Sequence, residues 1–269
     1  MTKLLDPEDT ELREELLNLA KTSGSLLLCC DFDGTLVDFT GIPSATELPE
    51  EAEKLLNRLA GLDDLHLAVI SGRGFEELVQ LVPVENATLA GNHGLKIRFE
   101  DGTTQKPELA EEIREAITGL NEEVQEKFGD LEGIIIENKG FGLALHYRQY
   151  GGKGREIKEQ FYQLWEDHRI PLLEVLEGAK LLEVRPANWN KGDAVKLLRD
   201  RYGLPPTIYI GDDTTDEDAF TVLNEVSDGF PILVSGRENE ETSARYRLKN
   251  PEDVLTFLNS LYVPLNGLT

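Results

Sequence analysis

The sequence predicts an α/β fold: a Rossmann-like, mostly parallel core sheet with helices on both faces, and a smaller α/β unit inserted into it. Three observations predict it. Short continuous apolar runs at 25–30, 66–70, 87–90, 207–210 and 231–234 suit strands buried on both faces of a parallel sheet. Helical periodicity separates them. Between residues 93 and 185 the texture changes to alternating strands and hairpins, which suit a sheet with one polar face.

In order along the chain, Leu12, Leu16 and Leu19 place an amphipathic helix over 7–21. The run ending at Cys30 is a buried strand that stops abruptly at Asp31. A helix over 49–60 leads to the strand His66–Ile70, which ends in Ser71-Gly72-Arg73-Gly74. A helix over 75–81 leads to the strand Ala87–Ala90, which ends in Gly91-Asn-His-Gly94. Leu95, Ile97 and Phe99 then alternate with polar residues, and a charged helix covers 107–128. Segments 134–136 and 141–146 pair about the turn at Asn138-Lys-Gly140, and 172–176 and 180–184 about Glu177-Gly178. A helix over 153–168 lies between these hairpins. After Pro186 the α/β alternation returns, with helices over 192–201, 216–225 and 251–261. The expected organisation is a core from 1–92 and 186–269 with an insertion from 93–185.

The chain has 269 residues, enough for two units, with 40% hydrophobic and 29% charged residues. Its net charge of -24 disfavours nucleic acid and anionic membranes. It also repels phosphorylated molecules at long range, so any phosphate site must be positive locally. Cys29 and Cys30 are adjacent, and strand neighbours point to opposite faces, so two free buried thiols in a reducing compartment are expected. The charged first residues do not resemble a signal peptide, and no apolar run is long enough for a membrane span. A cytoplasmic protein is the expectation. No motif specifies an oligomeric state, and a monomer is compatible with the sequence.

Four polar clusters fall at strand C-terminal ends, the edge where open α/β sheets bind ligands: Asp31–Thr35, Ser71–Arg73, Gly91–Gly94 and Gly211–Asp213. Asp31 and Asp33, two apart on extended backbone, project to one side. An isolated Asp-Gly is most often a turn. Here five apolar residues precede Asp31, and a buried carboxylate needs a partner. A divalent cation with oxygen ligands supplies one, and Asp212 and Asp213 add further carboxylates. Lys191 begins a helix, where the dipole is already positive; a cation is well placed there if an anion sits opposite. Ser71 and Gly72 offer a hydroxyl and N–H groups before a helix, either as a phosphate cradle or as a helix cap.

Asp31-Phe-Asp-Gly-Thr-Leu36, Ser71, Lys191 and Gly211-Asp-Asp213 resemble, in order, the four motifs of the haloacid-dehalogenase-like phosphatase superfamily. The resemblance implies an insertion that is a C2-type cap governing substrate choice. It implies that Asp31 attacks phosphorus, that Asp33 is the acid and base, and that Ser71 and Lys191 hold the phosphoryl group. It implies Mg²⁺ held by Asp31, the Asp33 carbonyl and Asp212, with Asp213 in support.

Ser71-Gly-Arg73, Gly91–Gly94, Glu137-Asn-Lys139, His146-Tyr-Arg148, Glu183–Pro186, Lys191-Gly192 and Gly211–Asp218 are similar to the trehalose-6-phosphate phosphatase family. In that family the residues matching Glu137, Lys139 and Glu183 contact sugar hydroxyls, with Arg148 nearby. Charged partners strengthen such hydrogen bonds. Gly72 and Arg73 complete the expected substrate site. The implied partner is a small sugar phosphate. Alternatives are another glycosyl phosphate, a phosphomutase reaction or a silent sugar-phosphate sensor. His93 reads as a hinge or loop hydrogen-bonder. His66 and His168 read as structural or exposed; Trp165 and Trp189 offer rings that could stack on a sugar, though packing is the commoner fate of a Trp.

Overall fold

The computed structural model describes residues 2–265 except 9, 39–45, 107–109, 168–170, 179, 238 and 239. His168 lies outside the described residues. The core begins with β1 (Lys3–Leu4), α1 (Thr10–Ser23), β2 (Leu26–Cys30), α2 (Glu50–Ala60), β3 (Leu65–Ile70), α3 (Phe75–Leu81) and β4 (Thr88–Gly91). After a short turn at Asn92–Gly94 come β5 (Lys96–Arg98) and β6 (Thr104–Gln105). The middle of the chain forms α4 (Ala110–Phe128), β7 (Ile135–Asn138), β8 (Leu143–His146), α5 (Gly154–Asp167), β9 (Leu173–Gly178) and β10 (Leu181–Pro186). The chain then returns through α6 (Lys191–Arg201), β11 (Thr207–Gly211), α7 (Glu217–Asn224), β12 (Gly229–Val234), β13 (Tyr246–Leu248) and α8 (Pro251–Leu265).

Among the described residues nine strands form one sheet in the order β1-β13-β12-β11-β2-β3-β4-β5-β6. All its pairings are parallel except those of β5 and β6. Alternation along β2 builds both faces. Leu26, Leu28 and Cys30 pack with α1, α2 and α8, while Leu27 and Cys29 pack with α6 and α7. That is why β2 reads as one apolar run: neither face meets water. Both thiols are free and buried, and burial pushes them up.

A second sheet, in the order β7-β8-β10-β9, is wholly antiparallel. Leu143, Leu145, Leu182 and Val184 turn to one face and pack on α4 and α5. Trp165 belongs to that apolar cluster, so packing is its role. Alternate residues must then face away from the helices. Glu137, Ala144 and Glu183 stand in cross-strand register on that other face.

Two features differ from the sequence reading. Residues 96–98 and 104–105, expected with the insertion, pair onto the edge of the large sheet, so its hydrogen bonding continues past residue 92. Strands β1 and β13 carry no periodic signal because each spans only two or three residues, and only their pairing defines them. No helix among the described residues is long and apolar enough to cross a membrane.

Candidate active site

Strand β2 lies between β11 and β3, so its end is flanked by the Gly211 and Ser71 loops. The Asp31 N–H donates to Ile210 O at 2.8 Å, which pins the carboxylate at the sheet's edge. Gly34 turns the chain at φ 77°, and a Cβ there would lie 2.1 Å from Asp212 Oδ2. Only glycine allows Asp212 to approach this closely.

Lys191 is the cation the acidic chain needs. It is 2% exposed, with Nζ 3.1 Å from Asp31 Oδ2 and 2.7 Å from Asp216 Oδ1. It opens α6 beside a capping box in which Asn190 Oδ1 accepts from the Asp193 N–H and Asp193 Oδ2 accepts from the Asn190 N–H. Burial lowers its affinity for a proton, but Asp216 and Asp31 outweigh that and hold it well above the ordinary lysine range. Lys191 is therefore charged.

The carboxylates compete for that one cation. Oxygens of Asp31, Asp212 and Asp216 all lie within 4.8 Å of one another. Burial pushes Asp31 well above the usual carboxylate range; Lys191 opposes this, and Asp216, Asp212 and Asp213 add to it. Burial, with Asp216 and Asp213, pushes Asp212 up to about 8. Such a cluster is short of positive charge, and a divalent oxygen-seeking cation fits it.

Asp216 is the residue the sequence reading missed. It is fully buried, and its acceptor positions are filled. Lys191 and the Tyr209 hydroxyl donate to Oδ1, and the N–H groups of Asp212 and Asp213 donate to Oδ2. Its signal was its place four residues after Asp212, disguised by its N-cap position on α7. There it makes no cap bond.

Asp213, expected beside the metal, stands apart from the three-carboxylate group. It is exposed, and its Oδ1 accepts from the N–H and hydroxyl of Thr215 at 2.7 and 2.6 Å. Asp33 also points elsewhere: Arg73 Nε and Nη2 donate to its two oxygens at 2.7 and 2.6 Å. Arg73 also pairs with Glu77. Ser71 is buried, and its hydroxyl accepts from the Arg73 N–H at 3.2 Å. It does not cap α3, whose N-cap is Gly74. Gly72 sits beneath the His93 ring.

The polar face of the second sheet meets this edge. Lys139 Nζ donates to Glu183 Oε1 at 2.6 Å, and Lys139 O accepts from Asn92 Nδ2 at 2.8 Å. Burial favours a protonated Glu183, but Lys139, with His93 adding to it, outweighs that and holds the carboxyl well below the usual range. Glu137 Oε2 lies 3.2 Å from His146 Nε2. Arg148 follows β8 and is exposed. A cleft of about 880 Å³ opens beside Glu137 and Lys139, bounded on the core side by Gly74, Glu77 and Lys96. His66 is structural: it stacks on Tyr202 at 3.9 Å and lies 3.1 Å from Glu100.

A family model described as trehalose-phosphatase matches residues 29–252. The chain is 31% identical to trehalose-phosphate phosphatase B of Arabidopsis thaliana, over 95% of this chain and 71% of the relative. It is 26% identical to the solved C-terminal domain of C. albicans trehalose-6-phosphate phosphatase, with a TM-score of 0.74 over 97% of this chain and 98% of that one. A trehalose-6-phosphate phosphatase related protein, 22% identical, shares the fold with a TM-score of 0.78 over 90% of this chain and all of that one. The chain belongs to the trehalose-phosphatase family.

Proposed function

We propose that this chain hydrolyses trehalose 6-phosphate to trehalose and phosphate, with Asp31 as the nucleophile. One observation carries the reading: a buried, charged Lys191 rests 3.1 Å from an Asp31 oxygen at the sheet edge where ligands bind. A phosphoryl group entering there meets a nucleophile and a cation together, with Ser71 across the strand end. The substrate itself is inferred from the named relatives and from the charged row Glu137, Lys139 and Glu183.

In the proposed course, an Asp31 oxygen attacks phosphorus and the bond to the sugar oxygen breaks. Asp33 gives its proton to that oxygen, and trehalose leaves. A water then attacks the aspartyl phosphate, Asp33 takes its proton, and Asp31 is regenerated. The covalent step divides one hard displacement into two easier ones. Lys191 and Ser71 hold the phosphoryl oxygens, and Asp216 keeps Lys191 in place. Asp31, the Asp33 carbonyl and Asp212 would hold Mg²⁺, which when bound neutralises charge on the phosphoryl group. Asp213 shapes the loop through Thr215.

The two sheets divide the labour in this proposal. The large sheet, through Gln105 and again from β11 to β13, carries the chemistry. The smaller sheet with α4 and α5 is the cap that selects the sugar. Phosphate release should be measured across trehalose 6-phosphate, other glycosyl phosphates and hexose phosphates, with and without Mg²⁺. Preference for trehalose 6-phosphate is expected. Equal rates on the other glycosyl phosphates defeat the substrate assignment. An isomerised sugar phosphate without release points to a mutase, and no turnover to a sensor.

A further inference from the structure

The chain leaves β4 through Asn92 and His93, both at positive φ, 52° and 57°. Left-handed backbone is unusual at a non-glycine residue and marks a position held by its surroundings. The backbone explains the hold: the Asn92 N–H donates to Arg73 O at 2.8 Å and the His93 N–H to Ser71 O at 2.9 Å. The imidazole takes no part in that anchoring.

The His93 side chain is nevertheless buried, only 6% exposed. It lies over the Ser71-Gly72 loop, where a Cβ on Gly72 would come within 2.7 Å of Cε1. Its Nε2 stands 3.5 Å from Glu183 Oε1, and Lys139 already donates to that oxygen at 2.6 Å. Among the described residues neither Nδ1 nor Nε2 finds a hydrogen-bond partner, and the Glu183 contact of Nε2 is an ionic one only, formed when the ring is protonated. A buried polar group with no partner is rare and calls for a reason. The loop hydrogen bonding expected of His93 is thus done by its main chain, and its ring is left unsatisfied between two halves of one site.

We propose that His93 is a specificity-determining residue: its unpaired ring nitrogens hydrogen-bond a hydroxyl of the sugar while the phosphoryl group rests against Ser71 and Lys191. The position fits, since the ring bridges the loop of Ser71 on the core to Glu183 on the second sheet. The chemistry fits too. A neutral imidazole offers one donor and one acceptor, and a sugar hydroxyl is both. Burial lowers the basicity of His93 despite Glu183, so the neutral form is the resident one. A site built to pair a hydroxyl discriminates strongly against ligands that lack it. The inference rests on the sugar-phosphate reading of the site.

The test compares His93→Phe and His93→Asn with the unaltered protein. Each is assayed on the sugar phosphate that the unaltered protein turns over best and on p-nitrophenyl phosphate, which has no hydroxyl. Phe keeps the ring on Gly72 without its nitrogens, and Asn tolerates positive φ. The expected result is a ~10–100-fold drop in the ratio of the two kcat/KM values, carried mainly by KM for the sugar phosphate. A ratio within about twofold of the original in both variants overturns the proposal. So does an equal fall on both substrates with a lowered melting temperature, the mark of a packing residue. An unaltered protein with no preference for any sugar phosphate overturns the sugar-phosphate reading itself, and that is seen before any variant is made.

Discussion

Arg73 grips the Asp33 carboxylate with two nitrogens, Nε on Oδ2 at 2.7 Å and Nη2 on Oδ1 at 2.6 Å. A paired fork of this kind fixes orientation as well as charge. A carboxylate so held accepts hydrogen bonds only. To donate a proton, Asp33 must first carry one, and the Arg73 fork decides which way that proton points. Arg73 is thus a positioning residue for the proposed acid. Lysine keeps the charge but not the fork. Arg73→Lys is expected to lower kcat by ~10–100-fold with a smaller change in KM. Steady-state kinetics check it, and an unchanged kcat removes Arg73 from the mechanism.

Asp31→Asn should lower turnover by ~10³-fold or more, because the amide is a poor nucleophile. Asp33→Asn should cost ~10²–10⁴-fold, the usual scale of general acid and base catalysis. Phosphate release measures both, with circular dichroism as the control for folding. Normal turnover by Asp31→Asn would sink the proposed chemistry.

Asp216→Asn places an amide NH₂ among four donors and removes a buried partner of Lys191. Breaking a buried ion pair costs about 3–5 kcal/mol. Urea unfolding should register a loss of that order, with activity falling as well because Lys191 is no longer anchored. A loss below about 1 kcal/mol is inconsistent with the pairing described.

Asp212 ties stability to pH and to metal. Its carboxyl is raised from 3.8 to about 8 in the fold. The fold therefore prefers the protonated form, and between those pH values the unfolded chain loses its proton first. Asp212 thus costs stability progressively as pH rises from about 4 to about 8. Without metal, Asp212→Asn should unfold at a higher temperature than the unaltered chain at pH 8, by about 2–4 °C per kcal/mol recovered. Added Mg²⁺ should stabilise the unaltered chain more than the variant. A melting temperature of the unaltered chain that ignores Mg²⁺ argues against metal at this cluster.

Glu183 has the opposite sign. Its carboxyl is held below the ordinary value of 4.5, so its contribution is present above that pH and fades as pH falls below it. Glu183→Gln should therefore destabilise at pH 7 and less so under acid. If Glu183 binds the sugar as proposed, the substitution also raises KM for the sugar phosphate about tenfold or more, since a charged hydroxyl acceptor is lost. Unfolding curves at two pH values and initial rates test both effects.

Much of the site was legible because its residues sit at strand ends. A buried strand shows as an apolar run, and the polar residue that ends it stands out, as Asp31 and Ser71 do. Asp212 and Asp213 look alike in sequence, while in space Asp212 turns to Gly34 and Asp213 to Thr215. Asp216 stands where α7 begins, and nothing local in the sequence marks it as the buried partner of Lys191. Ala144, between Glu137 and Glu183, gave no signal at all, since cross-strand register is not written in local periodicity.

The sequence by itself determined the alternation of strands and helices, the polar residues that end the buried strands, and the family. Burial and periodicity are local properties, so residue order carries them. Only the tertiary structure decided which oxygen faces which cation. Lys191 and Asp31 are 160 positions apart in the chain, yet 3.1 Å apart in space, and Arg73 spends its charge on Asp33 rather than at the surface. Strand order brings those groups together, and a buried charge is stable only where such a partner has been brought to it.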